Sequence, residues 1–281
     1  MPTVEIVSSP LVPGVTPVRI HYRDIGSGRP VVVLHGGWGY EIYPFDRQFE
    51  ALAREYRFVV PDRTGYGGSG RLAAQEVDFH SRAAAETFAE IDALKLERPV
   101  LWGHGDGAVI ALLMGLARPE RLTALIVEAA HLHRNKPASR AFFDTMLRNP
   151  EELGERVGAV LARDHGDSWR EVIRMNGAAW RRIADEHTTA DEDLYAGQLP
   201  RLRVPTLLVH GAKDPRTERG ELDALRARLP HAPLALIAEG GHSPHSERLT
   251  ADEVTAVATR FLRDLRDPPA PPGLPRRPDH A

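Results

Sequence analysis

The residues able to do chemistry in this chain gather in glycine-rich turns that follow short apolar runs. One run, 100–102, leads through Gly103-His104-Gly105-Asp106-Gly107 into an apolar helical stretch. A second, 206–209, leads into His210-Gly211-Ala212-Lys213-Asp214, and a third, 234–237, into Glu239-Gly240-Gly241-His242-Ser243-Pro244-His245. Histidine and aspartate are the side chains of proton transfer, and glycine-dense turns bring backbone N–H groups close to a ligand. The chain contains 0 cysteines, which excludes disulfides, thiolate metal sites and thiol nucleophiles together. His242, His245, His131 and His133 match no HExxH or comparable ligand spacing, so the expectation is no metal and solvent-exposed loop positions for His131, His133 and His245. Taken alone, Gly103-x-Gly105-x-Gly107 after a strand would also suit a dinucleotide loop.

The elements that must hold these turns follow from hydrophobic pattern. Runs rich in Val, Ile and Leu at 30–34, 57–60, 100–102, 124–127, 206–209 and 234–237 alternate with amphipathic stretches, as in parallel strands buried on both faces and joined by helices. Residues 18–22 alternate apolar with Arg and His, which predicts a half-exposed antiparallel strand at a sheet edge. Thr250 and Glu253 have capping-box spacing ahead of a final helix with Val254, Val257, Ala258, Phe261, Leu262 and Leu265 on one face. The βα rhythm stops between 131 and 200, where the pattern is helical, so this segment is expected to be a cap inserted into a core of residues 1–130 and 201–267. Residues 268–281 are Pro-, Gly- and Arg-rich and are expected to form a disordered tail.

Four segments in order resemble motifs of the α/β-hydrolase fold superfamily. Gly103-His104-Gly105-Asp106-Gly107 is similar to the nucleophile elbow G-x-S-x-G, with glycine at the serine position. Leu34-His35-Gly36-Gly37-Trp38 resembles the oxyanion loop, and Asp62-Arg63-Thr64-Gly65-Tyr66-Gly67-Gly68-Ser69 a D-x-R-G-x-G-x-S loop of chiefly structural role. His210–Asp214 resembles the turn bearing the triad acid, and Gly240-Gly241-His242-Ser243 the turn bearing the triad histidine. The resemblance covers 18–265 and implies an α/β fold: a mostly parallel central sheet flanked by helices, with an inserted helical cap. It implies a site at Gly105 with Asp214 as acid, His242 as base, and the Gly37 and Asp106 N–H groups as oxyanion donors. Asp106 stands one residue after the elbow centre, in the first turn of the helix, where the macrodipole favours a carboxylate; a structural part is expected for it.

Glycine has no side-chain atom that could form an acyl-enzyme, which closes the route ordinary for this fold. A histidine oriented by a carboxylate and facing an oxyanion site is equipment for general acid–base chemistry of lyase, cyclase, isomerase or water-activating type. Two alternatives stand beside it: a serine ester hydrolase whose nucleophile has been changed to Gly105, and a non-catalytic small-molecule binder. The expected substrate is a medium-sized apolar or aromatic carbonyl compound, with Trp38, Trp180 and His131 in the pocket wall and Phe142, Phe143 and Trp169 available from the cap. No cofactor is implied.

Composition narrows the setting. Lys plus Arg (36) and Asp plus Glu (39) leave a formal charge of −3 with both signs interspersed, so a nucleic-acid partner is not expected. The N-terminal residues lack a signal-peptide pattern, and no apolar run approaches the ~18 residues of a membrane span, so the expectation is a cytoplasmic protein without a membrane partner.

Overall fold

The computed structural model describes residues 1–186, 189 and 192–265. Its eight strands are β1 (Thr3–Ile6), β2 (Val18–Gly26), β3 (Arg29–Leu34), β4 (Tyr56–Pro61), β5 (Val100–His104), β6 (Ala124–Glu128), β7 (Thr206–Gly211) and β8 (Leu234–Ile237). They form one sheet in the order β1-β2-β4-β3-β5-β6-β7-β8, antiparallel where β2 meets β1 and β4, and parallel from β4 to β8. The apolar runs therefore form the strands expected of them. Strand β2 is not the edge, however. Met1 to Val15 contributes β1, which pairs Thr3 to Ile6 against His21 to Val18 and covers the outer side of β2.

Period-two alternation divides each strand between two cores. Val31, Val33, Phe58, Val60, Trp102, Ile126 and Val209 face Phe49 and Leu52 of α1 (Asp46–Leu52) and Val254, Ala258 and Leu262 of α8 (Ala251–Asp264). Val32, Leu34, Val59, Leu101, Leu125 and Val127 face Phe79, Ala83 and Phe88 of α2 (Phe79–Ala93) and Val109 to Leu112 of α3 (Asp106–Ala117). Both faces of the sheet are thus buried. Thr250 occupies the N-cap position of α8, but the capping box is not made: its hydroxyl donates to Pro244 O at 2.8 Å, which ties down the preceding turn instead.

Between β6 and β7 the chain forms three longer helices, α4 (Arg140–Arg148), α5 (Glu155–His165) and α6 (Trp169–Asp185), within the segment expected to be a cap. Helix α7 (Glu221–Arg228) lies between β7 and β8. The segment expected to be a disordered tail, 268–281, lies outside the described residues. Among the described residues no helix is long and apolar enough to cross a membrane.

Strand β3 lies between β4 and β5, so chain order reverses there and the loops after β3 and β5 open a crevice at the carboxyl ends of the strands. Register pairs Leu34 with Gly103, which sets Gly36 and Gly37 beside Gly105 and Asp106.

Candidate active site

The turn from β5 into α3 is tight because glycines permit it. A Cβ at Gly103 would overlap Gly107 O, and one at Gly107 would overlap Leu34 O, so both positions are closed to any side chain. Gly105 differs. Its backbone stands at φ 54 and ψ −117, a conformation that L-residues adopt only under strain, yet the space around it is open. A Cβ there would find only His242 Nε2 at 3.5 Å and Gly36 Cα at 3.8 Å. The Gly105 N–H donates to Glu128 O at 3.0 Å, binding the elbow to β6.

The turns after β7 and β8 converge on this point. His242 Nδ1 lies 3.0 Å from Asp214 Oδ2 and 3.1 Å from Oδ1, with the Asp214 side chain 1% and the His242 side chain 20% exposed. Burial pushes the Asp214 carboxyl up, but the hydrogen bond and charge of His242 outweigh it and hold the group well below the usual carboxylate range. An ionised Asp214 accepts the Nδ1 proton, which leaves Nε2 as the free lone pair facing Gly105. The turn is fixed from behind: Gly241 and Ser243 donate their N–H groups to Glu247, and His104 Nε2 lies 3.1 Å from His242 O. The His131 ring stacks on His242 at 5.7 Å, and burial above all pushes its pKa down to about 3, so it is neutral at neutral pH.

The loop after β3 is pinned by Arg63, which donates to His35 O at 2.8 Å and Gly36 O at 3.3 Å. This places Gly36 and Gly37 on the wall of the pocket that Gly105, Asp106 and His242 also line. As the first residue of α3, Asp106 has no intrahelical acceptor for its N–H. Its carboxylate is fully engaged, accepting from Asn176 Nδ2 at 2.8 Å and Trp180 Nε1 at 3.0 Å, and facing His80 Nε2 at 3.2 Å. Burial raises this carboxyl, and the His80 contact together with nearby positive charge overcomes it and holds the group low. Asp106 therefore turns toward α2 and α6, away from the space above Gly105. Asn176 also packs on the loop after β3, since a Cβ on Gly37 would lie 2.5 Å from its Oδ1.

Residues 31–273 match the alpha/beta hydrolase family. The chain belongs to that family. Serine hydrolase BPHL of Homo sapiens is 27% identical over 258 residues, covering 88% of this α/β hydrolase and 84% of the human protein. Cis-3-alkyl-4-alkyloxetan-2-one decarboxylase of Shewanella oneidensis is 25% identical, covering 88% and 86%. Among solved structures, a thermophilic esterase from Thermogutta terrifontis superposes with a TM-score of 0.71 at 20% identity, covering 94% of this chain and 99% of the esterase. The fold of this α/β hydrolase is thus that of the solved enzymes, and the relatives are named for hydrolysis, ester cleavage and decarboxylation.

The pocket holds about 520 Å3 of empty space, its open mouth included. Trp38, Trp180 and His131 line it as expected, with Phe142 and Phe143. Trp38 stacks on Phe142 at 5.5 Å, and Trp180 on Phe143 at 5.5 Å. Trp169 does not reach the pocket and packs instead against Gly158 of α5. The expectation of solvent-exposed histidines fails: His133 is half-buried and the other two more so. His131 is buried, and His245 is 0% exposed, with Nδ1 2.7 Å from Glu128 Oε1 and Nε2 3.0 Å from Tyr43 O. His104, Glu128 and His245 each offer one potential ligand atom within 4.8 Å of the others, but both ring nitrogens of His245 are spent on these hydrogen bonds. Tyr43, His80, Asn176 and Arg216 were not legible as site residues. Only His104 carried a signal, by standing inside the elbow motif.

Proposed function

We propose that this α/β hydrolase is an enzyme in which His242, oriented by Asp214, acts as general base and acid on a carbonyl compound with an apolar or aromatic body. The Gly37 and Asp106 N–H groups are the donors to the developing oxyanion. The observation that carries this reading is the coexistence of an assembled His242–Asp214 pair at 3.0 Å with an elbow residue that has no side chain. Nε2 can take a proton from carbon or from water, whereas position 105 offers nothing to acylate. Loss of a proton next to a carbonyl builds charge on oxygen, which two fixed N–H donors stabilise without reorganisation. Lyase, cyclase and isomerase reactions share this first step; in a water-activating reaction Nε2 takes the proton from water and the charge builds on the carbonyl oxygen as hydroxide adds to the carbon.

A second reading, a serine ester hydrolase whose nucleophile has been changed to Gly105, is favoured by the open space there, which would admit a side chain. Proton exchange separates the two, because position 105 is glycine in both and neither forms an acyl-enzyme there, while intact-protein mass spectrometry checks that no other side chain is acylated. The protein is incubated with 4-nitrophenyl butyrate and with a serine-directed phosphonate, while deuterium entry beside the carbonyl of 4-phenylbutan-2-one in D2O is followed by NMR. The expected result is an unchanged protein mass and exchange faster than in protein-free buffer. Acylated or phosphonylated wild-type protein, or exchange no faster than buffer, overturns the proposal.

A further inference from the structure

Beyond the His242–Asp214 pair, the charges around the pocket are unevenly balanced. Of the two carboxylates near it, Asp106 lines the pocket and Asp214 stands behind His242, and both are spent: Asp214 on His242 and the Arg216 N–H, Asp106 on Asn176, Trp180 and His80. One cation, Arg216, lines the same space. Its position is set by the turn that sets the acid, because its backbone N–H donates to Asp214 Oδ1 at 2.8 Å. Its guanidinium lies over the Phe142 ring, 3.0 Å from the centroid, and among the described residues no carboxylate forms an ion pair with it.

Other part-buried arginines of the chain show what is missing. Arg23 lies 2.8 Å from Asp62 and 2.9 Å from Glu41, and Arg63 donates to His35 O and Gly36 O. Arg216 is withdrawn from water far enough for burial to lower its pKa, against the opposing influence of Tyr43 and Asp214. A guanidinium nevertheless stays charged at any ordinary pH. Its contact with Phe142 uses only the face of the guanidinium, whereas its five N–H donors in a planar fork suit a carboxylate, held by charge-assisted bonds about twice as strong as neutral ones.

We infer that Arg216 is the anion-recognition residue of this pocket and that the substrate carries a carboxylate beside its apolar body. The wall agrees with such a molecule: Trp38, Phe142, Phe143 and Met146 supply apolar surface, and Arg216 is the charge at its margin. A neutral ester or ketone of the same shape fills the apolar wall and leaves the guanidinium without a partner. This inference rests on the pocket being the substrate site proposed above, but it concerns binding rather than proton transfer.

The test is equilibrium binding by isothermal titration calorimetry, with 3-phenylpropionate and its neutral isostere 3-phenylpropionamide as probes. Wild-type protein is expected to bind the carboxylate at least about tenfold more tightly than the amide. Arg216→Gln should abolish that preference while leaving amide affinity unchanged, which shows the variant folded, and Arg216→Lys should restore part of it. His242→Ala should keep the preference, since it removes the base and not the anion site, so failure of the acid–base proposal leaves this result standing. Equal affinity for the two probes, no saturable binding of the carboxylate, or a preference that survives in Arg216→Gln overturns the inference.

Discussion

Position 105 separates two demands that usually fall on one residue. Its φ of 54 calls for glycine, but the volume around it would accept a side chain, and a Cβ would stand 3.5 Å from His242 Nε2. Gly105→Ser is therefore expected to fold, at a strain cost of roughly 1–3 kcal/mol, and to place its hydroxyl within hydrogen-bond reach of Nε2. Stopped-flow assay with 4-nitrophenyl butyrate should show a burst of about one product per protein, together with phosphonate labelling that the wild type lacks. A folded variant with neither would mean that Nε2 does not face the elbow. Residues of this kind were legible because each follows an apolar run in a short glycine turn, as Asp214 and His242 do. His80 and Asn176 were not, because a contact between α2, α6 and the elbow leaves no local pattern in the chain, and nothing local marks Arg216, two residues past the acid, as facing the pocket.

Among the elements, strands buried on both faces announced themselves as unbroken apolar runs, and all six parallel-core runs became strands. Strand β1 escaped notice because of its four residues only Ile6 is buried, so it has almost no apolar signature. Its absence from the reading is what made β2 look like an edge. Helix α8 was recognised by its apolar face, yet its N-terminal chemistry was misread: the Thr250 hydroxyl donates to Pro244 O and accepts no helix N–H. For α6, helical spacing could not distinguish core from pocket wall, and the structure shows that Trp180 serves both ends. Its ring packs on Phe143 in the pocket while its indole N–H donates to Asp106 at the start of α3. The same bond accounts for Asp106: a carboxylate at a helix N-terminus, favoured there by the dipole, also anchors α6 over the elbow.

At the scale of the whole molecule, the reversal of strand order between β3 and β5 puts the loop after β3, the elbow and the His242 turn at one crevice. Packing that crevice leaves His35, His104 and His131 buried, with burial the main cause holding each below its ordinary value. A histidine whose folded pKa is depressed adds stability that is fully present above the unfolded value of 6.5 and is lost as pH falls below it, down to about 3 for His131. Each such group contributes a slope of at most about 1.4 kcal/mol per pH unit. Thermal unfolding followed by circular dichroism should therefore show Tm falling from pH 7 to pH 5, with a shallower slope in His131→Gln; a Tm that is flat or rises on acidification would contradict this. The proposed reaction depends on His242 as its base. Its most direct test is the steady-state kinetics of His242→Ala and Asp106→Asn beside wild type, on whichever carbonyl compound undergoes exchange. Removing the base should lower kcat roughly 10²–10⁴-fold with little change in KM, while Asp106→Asn, which keeps the backbone donor, should retain most of kcat. Activity abolished in Asp106→Asn but spared in His242→Ala would contradict it and make Asp106 the reacting carboxylate.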